Sequence, residues 1–316
     1  MRTLHLARIR GIDLYLHWSW WLVALIEIEA RAGAYHFVGW NVLEYLTLFA
    51  IVTVHEFGHA LACRQVGGTA NRIMLWPLGG IAFVDPPPRP GAMLWSIAAG
   101  PLVNVALAPI LYVWAAWWSS TAWAMTHPDA IAFASAVQFI NIGLLVFNLI
   151  PVYPLDGGQI LRSLLWYPLG RARSLMASTI IGFVGVAALG GLALWTRDWW
   201  LGIIDVFILT SCWSGLKSAR RMWQIAKLPR RPGLTCPACG TPPPMANLWR
   251  CARPACAAAF DAFAHAVCPA CGMGVGRVTC PECGIGSEPR AWAGATVPGP
   301  VVNLDPAPAG HLADRS

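Results

Sequence analysis

Charge is what this sequence lacks. Only 12% of its 316 residues are Asp, Glu, Lys or Arg, about half the share found in a soluble domain. With 57% hydrophobic residues and a mean hydropathy of +0.54, that scarcity excludes a soluble globular protein and indicates an integral membrane protein. A cleavable leader is also missing: MRTLHLARIRG holds no apolar run with a cleavage site, so no signal peptide is expected. Long internal repeats are absent. Basic residues are thin where cysteine is dense: within 234–286 they are Arg250, Arg253 and Arg277, which argues against nucleic acid as a partner despite a net charge of +7. Acidic residues are thinner still, with no glutamate between Glu56 and Glu282.

What is present is a set of apolar runs. Six reach the length a bilayer needs, about 20 residues: roughly 14–30, 42–63, 92–118, 130–150, 174–195 and 199–219. The first is interrupted near its end by Glu27 and Glu29. Arg2, Arg8, Arg10, Arg64, Arg72, Arg89, Arg162, Arg171, Arg173, Lys217, Arg220 and Arg221 all fall on one side of this pattern, against Arg31 and Arg197 on the other. The positive-inside rule then places both termini in the cytoplasm. Between the second and third runs, IMLWPL and IAFV read as short strands around Gly79-Gly80, either a connecting loop at the membrane face or an edge that captures an extended substrate. The fold class expected is an α-helical membrane protein of six transmembrane helices with this β-hairpin and a small cysteine-rich domain.

Within the second run, His55, Glu56 and His59 form His-Glu-x-x-His. Histidines at i and i+4 share one helix face, so both imidazoles reach one metal ion, and Glu56 is placed to act as a base on a water held there. The bland alternative is a pair of helix histidines without metal. A charged group near the bilayer centre costs roughly 2.5–3.5 kcal/mol even on insertion scales, which favours the functional reading. Catalytic zinc takes three protein ligands and an open position. With no glutamate available, the acidic candidates are Asp85, Asp129, Asp156, Asp198 and Asp205. The topology puts Asp129, Asp198 and Asp205 toward the opposite face and leaves Asp85 and Asp156 at the right depth. Asp156 is preferred, because Pro151 and Pro154 unwind the backbone before it and Gly157-Gly158 permit close approach. Its own bland reading is a helix-terminating turn residue.

The order His55-Glu56-x-x-His59, AGPLVN (99–104), Asn148-x-x-Pro151 and Pro154-Leu155-Asp156-Gly157-Gly158 resembles the site-2 protease family of intramembrane zinc metalloproteases, and Gly79-Gly80 fits its pattern. The resemblance runs from about residue 10 to 220. It implies zinc on His55, His59 and Asp156 with Glu56 as catalytic base. It also implies that Asn104 and Asn148 hold the substrate backbone, with hydrogen bonding between helices as their bland alternative, that Gly79 and Gly80 contact substrate, and that the substrate is a single-span membrane protein, often a tethered regulator. It is most similar to the compact sporulation-protease branch, in which a CBS domain is common at the C-terminus; here a cysteine-rich segment stands instead. The setting implied is a multi-pass protein of a bacterial inner membrane, with the lipid bilayer as its medium.

That segment holds eight of the ten cysteines. Cys236, Cys239, Cys251 and Cys256 are expected to bind one structural zinc, and Cys268, Cys271, Cys280 and Cys283 a second, making two zinc ribbons and three zinc ions in all. A disulfide framework is the alternative, disfavoured by a reducing cytoplasm. The domain plan is 1–225 membrane protease, 226–233 linker, 234–286 zinc ribbons as a docking site for a regulatory protein, and 287–316 a disordered Pro/Ala/Gly-rich tail. Two competing functions are a non-catalytic scaffold that binds a partner through the ribbons, and a metal transporter, which would spread its ligands over several spans at midplane depth.

Overall fold

The computed structural model describes residues 3–31, 33–76, 79–292 and 303–304. The first expected span does not form as one helix. Thr3–Ile9 (β1) and Ile12–His17 (β2) pair antiparallel, and only Ser19–Ala30 (α1) is helical. Twelve helical residues rise about 18 Å, short of a hydrocarbon core of about 30 Å. The cause is visible in IDLYLH: Ile12, Leu14 and Leu16 are buried in alternation, the period of a strand. Strand and helix together run antiparallel to α2 (Val38–Gln65) along its length. The Arg64 guanidinium donates to the Arg10 and Gly11 carbonyls (2.5 and 2.9 Å), the Tyr45 hydroxyl to the Trp20 carbonyl (2.8 Å), and the Asn41 amide to the Arg31 carbonyl (2.7 Å).

Beyond α2 come Thr69–Trp76 (β3) and Gly79–Asp85 (β4), antiparallel, with Pro77 and Leu78 outside the described residues. β2 pairs parallel with β3, so the sheet order is β1-β2-β3-β4 and β4 is an edge. Ile12, Leu14, Leu16, Ile73 and Leu75 bury one face of this sheet against Val52, Ala60 and Cys63 of α2. The remaining helices are α3 (Pro90–Ser119), α4 (Ala122–Thr126), α5 (Pro128–Leu149), α6 (Asp156–Thr196) and α7 (Trp199–Lys227). Among the described residues, five helices (α2, α3, α5, α6 and α7) are long and apolar enough to cross a membrane, which corrects the expected six. Phe139, Leu194 and Trp195, at 78–83% exposure, are among the large apolar side chains these helices turn outward, as a lipid-facing surface requires. The backbone between α5 and α6 is non-helical over 150–155, around Pro151 and Pro154. α6 begins at Asp156, earlier than the expected 174, and breaks at Gly170 (φ 76°).

The chain divides into two compact units, Met1–Pro168 with Ala177–Trp213, and Leu169–Met176 with Ser214–Ser316. In the second, Trp249–Arg250 (β5) pairs with Ala259–Phe260 (β6), and Arg277–Thr279 (β7) lies between Gly286–Ser287 (β8) and Asn303–Leu304 (β9). Trp249, Phe260, Cys268 and Val278 form its core. Two expected boundaries move. Residues 226–233 are not a free linker: Leu228 packs on that core, Arg230 pairs with Glu282 (2.5 Å) and Arg231 with Asp261 (2.7 Å). The folded part also continues past 286, because Trp292 is fully buried beside Cys236, Cys280 and Cys283. Of the expected disordered tail, 293–302 and 305–316 lie outside the described residues.

Candidate metal centres

One turn of α2 separates His55 from His59, and both rings are buried (3% and 6% exposed). Their Nε2 atoms lie 3.1 Å apart. Asp156, the first residue of α6, brings its Oδ2 to 3.1 Å from His55 Nε2 and 3.3 Å from His59 Nε2. Four ligands at about 2.0–2.1 Å in a tetrahedron around zinc are spaced about 3.3–3.4 Å, so the three atoms mark one face of such a polyhedron.

The protons agree with that geometry. His59 Nδ1 donates to the Ser96 carbonyl (2.9 Å), which only accepts. His55 Nδ1 donates to Asn104 Oδ1 (2.6 Å), since the Asn104 Nδ2 group already donates to Asn141 Oδ1 (2.8 Å). In the neutral imidazoles both Nε2 atoms therefore carry lone pairs, and both face a carboxylate oxygen. Three such atoms at 3.1–3.3 Å repel one another unless a cation or a proton lies among them. The residues fit a zinc ion.

Glu56 is buried (6% exposed), with a carboxylate oxygen within 4.8 Å of the histidine ligand atoms. Its Oε2 accepts from the Ala82 backbone N–H of β4 (2.9 Å). β4 can lie that close because residue 80 has no side chain: a Cβ on Gly80 would sit 2.2 Å from the Glu56 side chain. On the other side, a Cβ on Gly100 of α3 would sit 2.3 Å from His59 Nε2. Asn104 is fully buried, with its side chain engaged by His55 of α2 and Asn141 of α5, which is the interhelical bonding weighed as the alternative to a substrate contact. Asn148 is half-buried in the last turn of α5, and Gly79 opens β4. Sequence reasoning passed over Ser96, Gly100, Ala82 and Asn141. Only Asn141 carries a signal of its own, an amide inside an apolar span.

In the second unit the eight cysteines make two quartets, grouped otherwise than expected. Cys236 and Cys239 join Cys280 and Cys283, while Cys251 and Cys256 join Cys268 and Cys271. The inner pairs of knuckles fold together and the outer pairs close over them, so the two sites nest where consecutive order had placed them in series. Contacts across the quartets are Cys236–Cys283 at 3.7 Å, Cys239–Cys280 at 3.8 Å, Cys251–Cys271 at 3.5 Å and Cys256–Cys268 at 3.8 Å. A disulfide holds its sulfurs about 2.05 Å apart, whereas four thiolates at about 2.3 Å from zinc stand about 3.8 Å apart. Both quartets match the second case, and all ten cysteines are free thiols. Three knuckles close with a glycine N–H on the first cysteine carbonyl: Gly240 on Cys236, Gly272 on Cys268 and Gly284 on Cys280 (2.8–2.9 Å). Burial pushes the Cys251 thiol up to about 12 and Cys283 up to about 11, while the Met273 backbone N–H brings Cys271 down to about 7.

A helical membrane protein with a buried histidine–carboxylate centre, and a glutamate beside it, resembles the membrane-embedded metallopeptidases in form. The profile of Peptidase family M50 matches residues 44–121 and 116–192, the stretch that carries His55, Glu56, His59 and Asp156. A zinc metalloprotease of Methanocaldococcus jannaschii is 30% identical over 182 residues, 57% of this chain and 50% of that protein. Stage IV sporulation protein FB of Bacillus subtilis is 27% identical over 154 residues, 48% of this chain and 46% of its own length. The chain thus spans about half the length of these curated relatives. The solved structure of a site-2 protease from Methanocaldococcus jannaschii superposes with a TM-score of 0.51 at 26% identity, covering 68% of this chain and 95% of that one. Through residues 44–192 the chain is similar to peptidase family M50, and its fold to that of a site-2 protease.

Proposed function

We propose that this protein is an intramembrane zinc metalloprotease that hydrolyses a peptide bond within or beside the transmembrane helix of a membrane-tethered protein. The observation that carries the reading is the convergence of His55 Nε2, His59 Nε2 and Asp156 Oδ2 at 3.1–3.3 Å with Glu56 alongside. His55, His59 and Asp156 would hold the ion. When bound, zinc supplies Lewis acidity, which makes water a nucleophile near neutral pH and polarises a carbonyl. Glu56 takes the proton from the attacking water and hands it to the leaving amine. The Asn104 side chain and the Ser96 carbonyl keep the two imidazoles in the tautomer that leaves Nε2 open.

The substrate must reach this centre extended, because a helical peptide bond is shielded by its own hydrogen bonds. β4 suits that purpose. It is an edge strand, and its Ala82 N–H already points at the Glu56 carboxylate, so a strand added there would run past the base. Asn148 is the side chain we assign to hold the incoming backbone. The cysteine quartets would carry structural zinc and present a surface for a regulatory protein. Arg230 and Arg231, which precede the quartets, are engaged by Glu282 and Asp261, which leaves little positive charge there for nucleic acid. The distribution of basic residues supports termini and an active-site side in the cytoplasm, and the membrane we assign is a bacterial inner membrane.

The test is cleavage of a generic single-span reporter in liposomes by the parent protein and by Glu56→Gln, with and without a zinc chelator. Loss of the base is expected to lower the rate by about 10²–10⁴-fold with zinc content unchanged. Equal cleavage by both proteins would remove Glu56 from the mechanism.

A further inference from the structure

Asn141 lies in the middle of α5, fully buried, and touches neither the three candidate ligands nor Glu56 in any hydrogen bond described above. We propose that it is a positioning residue for the metal centre: acting through Asn104, it decides which nitrogen of His55 carries the proton. This rests on the reading of His55, His59 and Asp156 as metal ligands.

The argument follows one chain of hydrogen bonds from its fixed end. The backbone carbonyl of Asn104 can only accept, and the Asn141 side-chain nitrogen Nδ2 lies 3.0 Å from it. That contact sets the Asn141 amide, so Oδ1 is the atom presented to the Asn104 side chain. Asn104 must answer with a donor, and its Nδ2 does so at 2.8 Å. The Asn104 Oδ1 is thereby turned to His55 Nδ1 at 2.6 Å, an acceptor facing a nitrogen that must bear hydrogen. The His55 lone pair is left on Nε2, the atom that faces His59 and Asp156.

The opposite arrangement is easy to specify. A half-turn of the Asn104 amide would place Nδ2 against His55 Nδ1, make that nitrogen the acceptor, and move the proton to Nε2, where it blocks a metal bond. Asn104 alone does not choose between the two, since an amide presents a donor or an acceptor with nearly the same shape. Asn141 makes the choice, because the half-turned amide would set two acceptor oxygens against each other in a site without exposed surface. The chain also links three helices, since Asn141 is on α5, Asn104 on α3 and His55 on α2.

The experiment measures zinc retained by the full-length protein in detergent against graded chelator. His59→Ala defines the zinc that does not belong to this centre. Asn141→Leu keeps the volume and removes both hydrogen bonds; it should lower the zinc affinity of the centre by about tenfold or more, within the 10–100-fold effect usual for groups that orient a ligand. Asn141→Asp, buried and neutral, offers the same donor and acceptor and should hold zinc within about threefold of the parent. The decisive comparison uses Asn104→Leu, which removes the amide through which Asn141 acts on His55. In that background Asn141→Leu should change zinc affinity by less than about twofold, whereas a packing defect would cost as much there as in the parent. Asn141→Ser, run through the same pair of backgrounds, makes the identical comparison if the leucine variant does not fold. Unchanged affinity in Asn141→Leu, or an equal loss in both backgrounds, overturns the inference alone. Equal zinc in the parent and His59→Ala overturns the metal reading and the inference with it.

Discussion

A methyl group on Gly100 would sit 2.3 Å from His59 Nε2 and 2.8 Å from His55 Nε2, inside the volume an ion and its ligands need. His59 cannot retreat far, because its Nδ1 is held by the Ser96 carbonyl one turn earlier on the same helix, α3. Gly100→Ala is therefore expected to strip the centre of zinc and to lower reporter cleavage by about 10–100-fold, read as metal content per protein against the His59→Ala baseline. Full zinc occupancy in that variant would mean that α3 shifts to make room. The same crowding explains why small residues gather here: Gly80 stands against Glu56 as Gly100 stands against the histidines.

Among elements, β4 and the cysteine knuckles give the sharpest tests. Ala82→Pro deletes the N–H that the Glu56 carboxylate accepts and interrupts a strand edge, but touches none of the three proposed zinc ligands. Cleavage should fall by at least about tenfold while zinc at the His55–His59–Asp156 centre stays constant. Cleavage at the parental rate would show that β4 does not guide substrate. In the second unit, nesting of the quartets makes a counting prediction. Cys236→Ser with Cys280→Ser breaks one quartet, so one zinc should be lost; Cys236→Ser with Cys251→Ser breaks both, so two should be lost. Consecutive pairing predicts the reverse counts, which metal analysis of the two double variants separates.

For the whole molecule, the length and apolar surface of α2, α3, α5, α6 and α7 make it an integral membrane protein. The distribution of arginine and lysine then predicts sidedness. A reporter enzyme that folds only outside the cytoplasm should be inactive when fused after Lys227 and active when inserted at Arg197, between α6 and α7. Activity at the first site would reverse the orientation and put the cysteine quartets in a compartment that favours disulfides. The N-terminal segment bears on this layout too. Residues 10–31 follow α2 from Arg64 to Asn41 as a strand and a short helix, so one pass of chain lies along α2 without a helix of membrane length.

By itself the sequence determined the features that depend on near neighbours or on bulk composition. His55 and His59 share a face because α-helices repeat every 3.6 residues. The later apolar runs become long helices because nothing within them offers the backbone another partner, and Pro151 and Pro154 end a helix whatever surrounds them. Elimination also led to Asp156, since so few acidic residues remain. Tertiary structure alone decided what depends on residues far apart in the chain. Asn104 supports His55 from 49 positions away, and Asn141 holds Asn104 across 37. Cys236 shares a quartet with Cys283 across 47 positions, although Cys251 and Cys256 are nearer in sequence. The first span failed for a related reason: a hydropathy sum over 14–30 cannot distinguish a continuous helix from a strand whose alternate residues pack on a neighbouring sheet and helix. Hydropathy and spacing record which side chains avoid water; which of them meet is set by how the helices and knuckles close on one another.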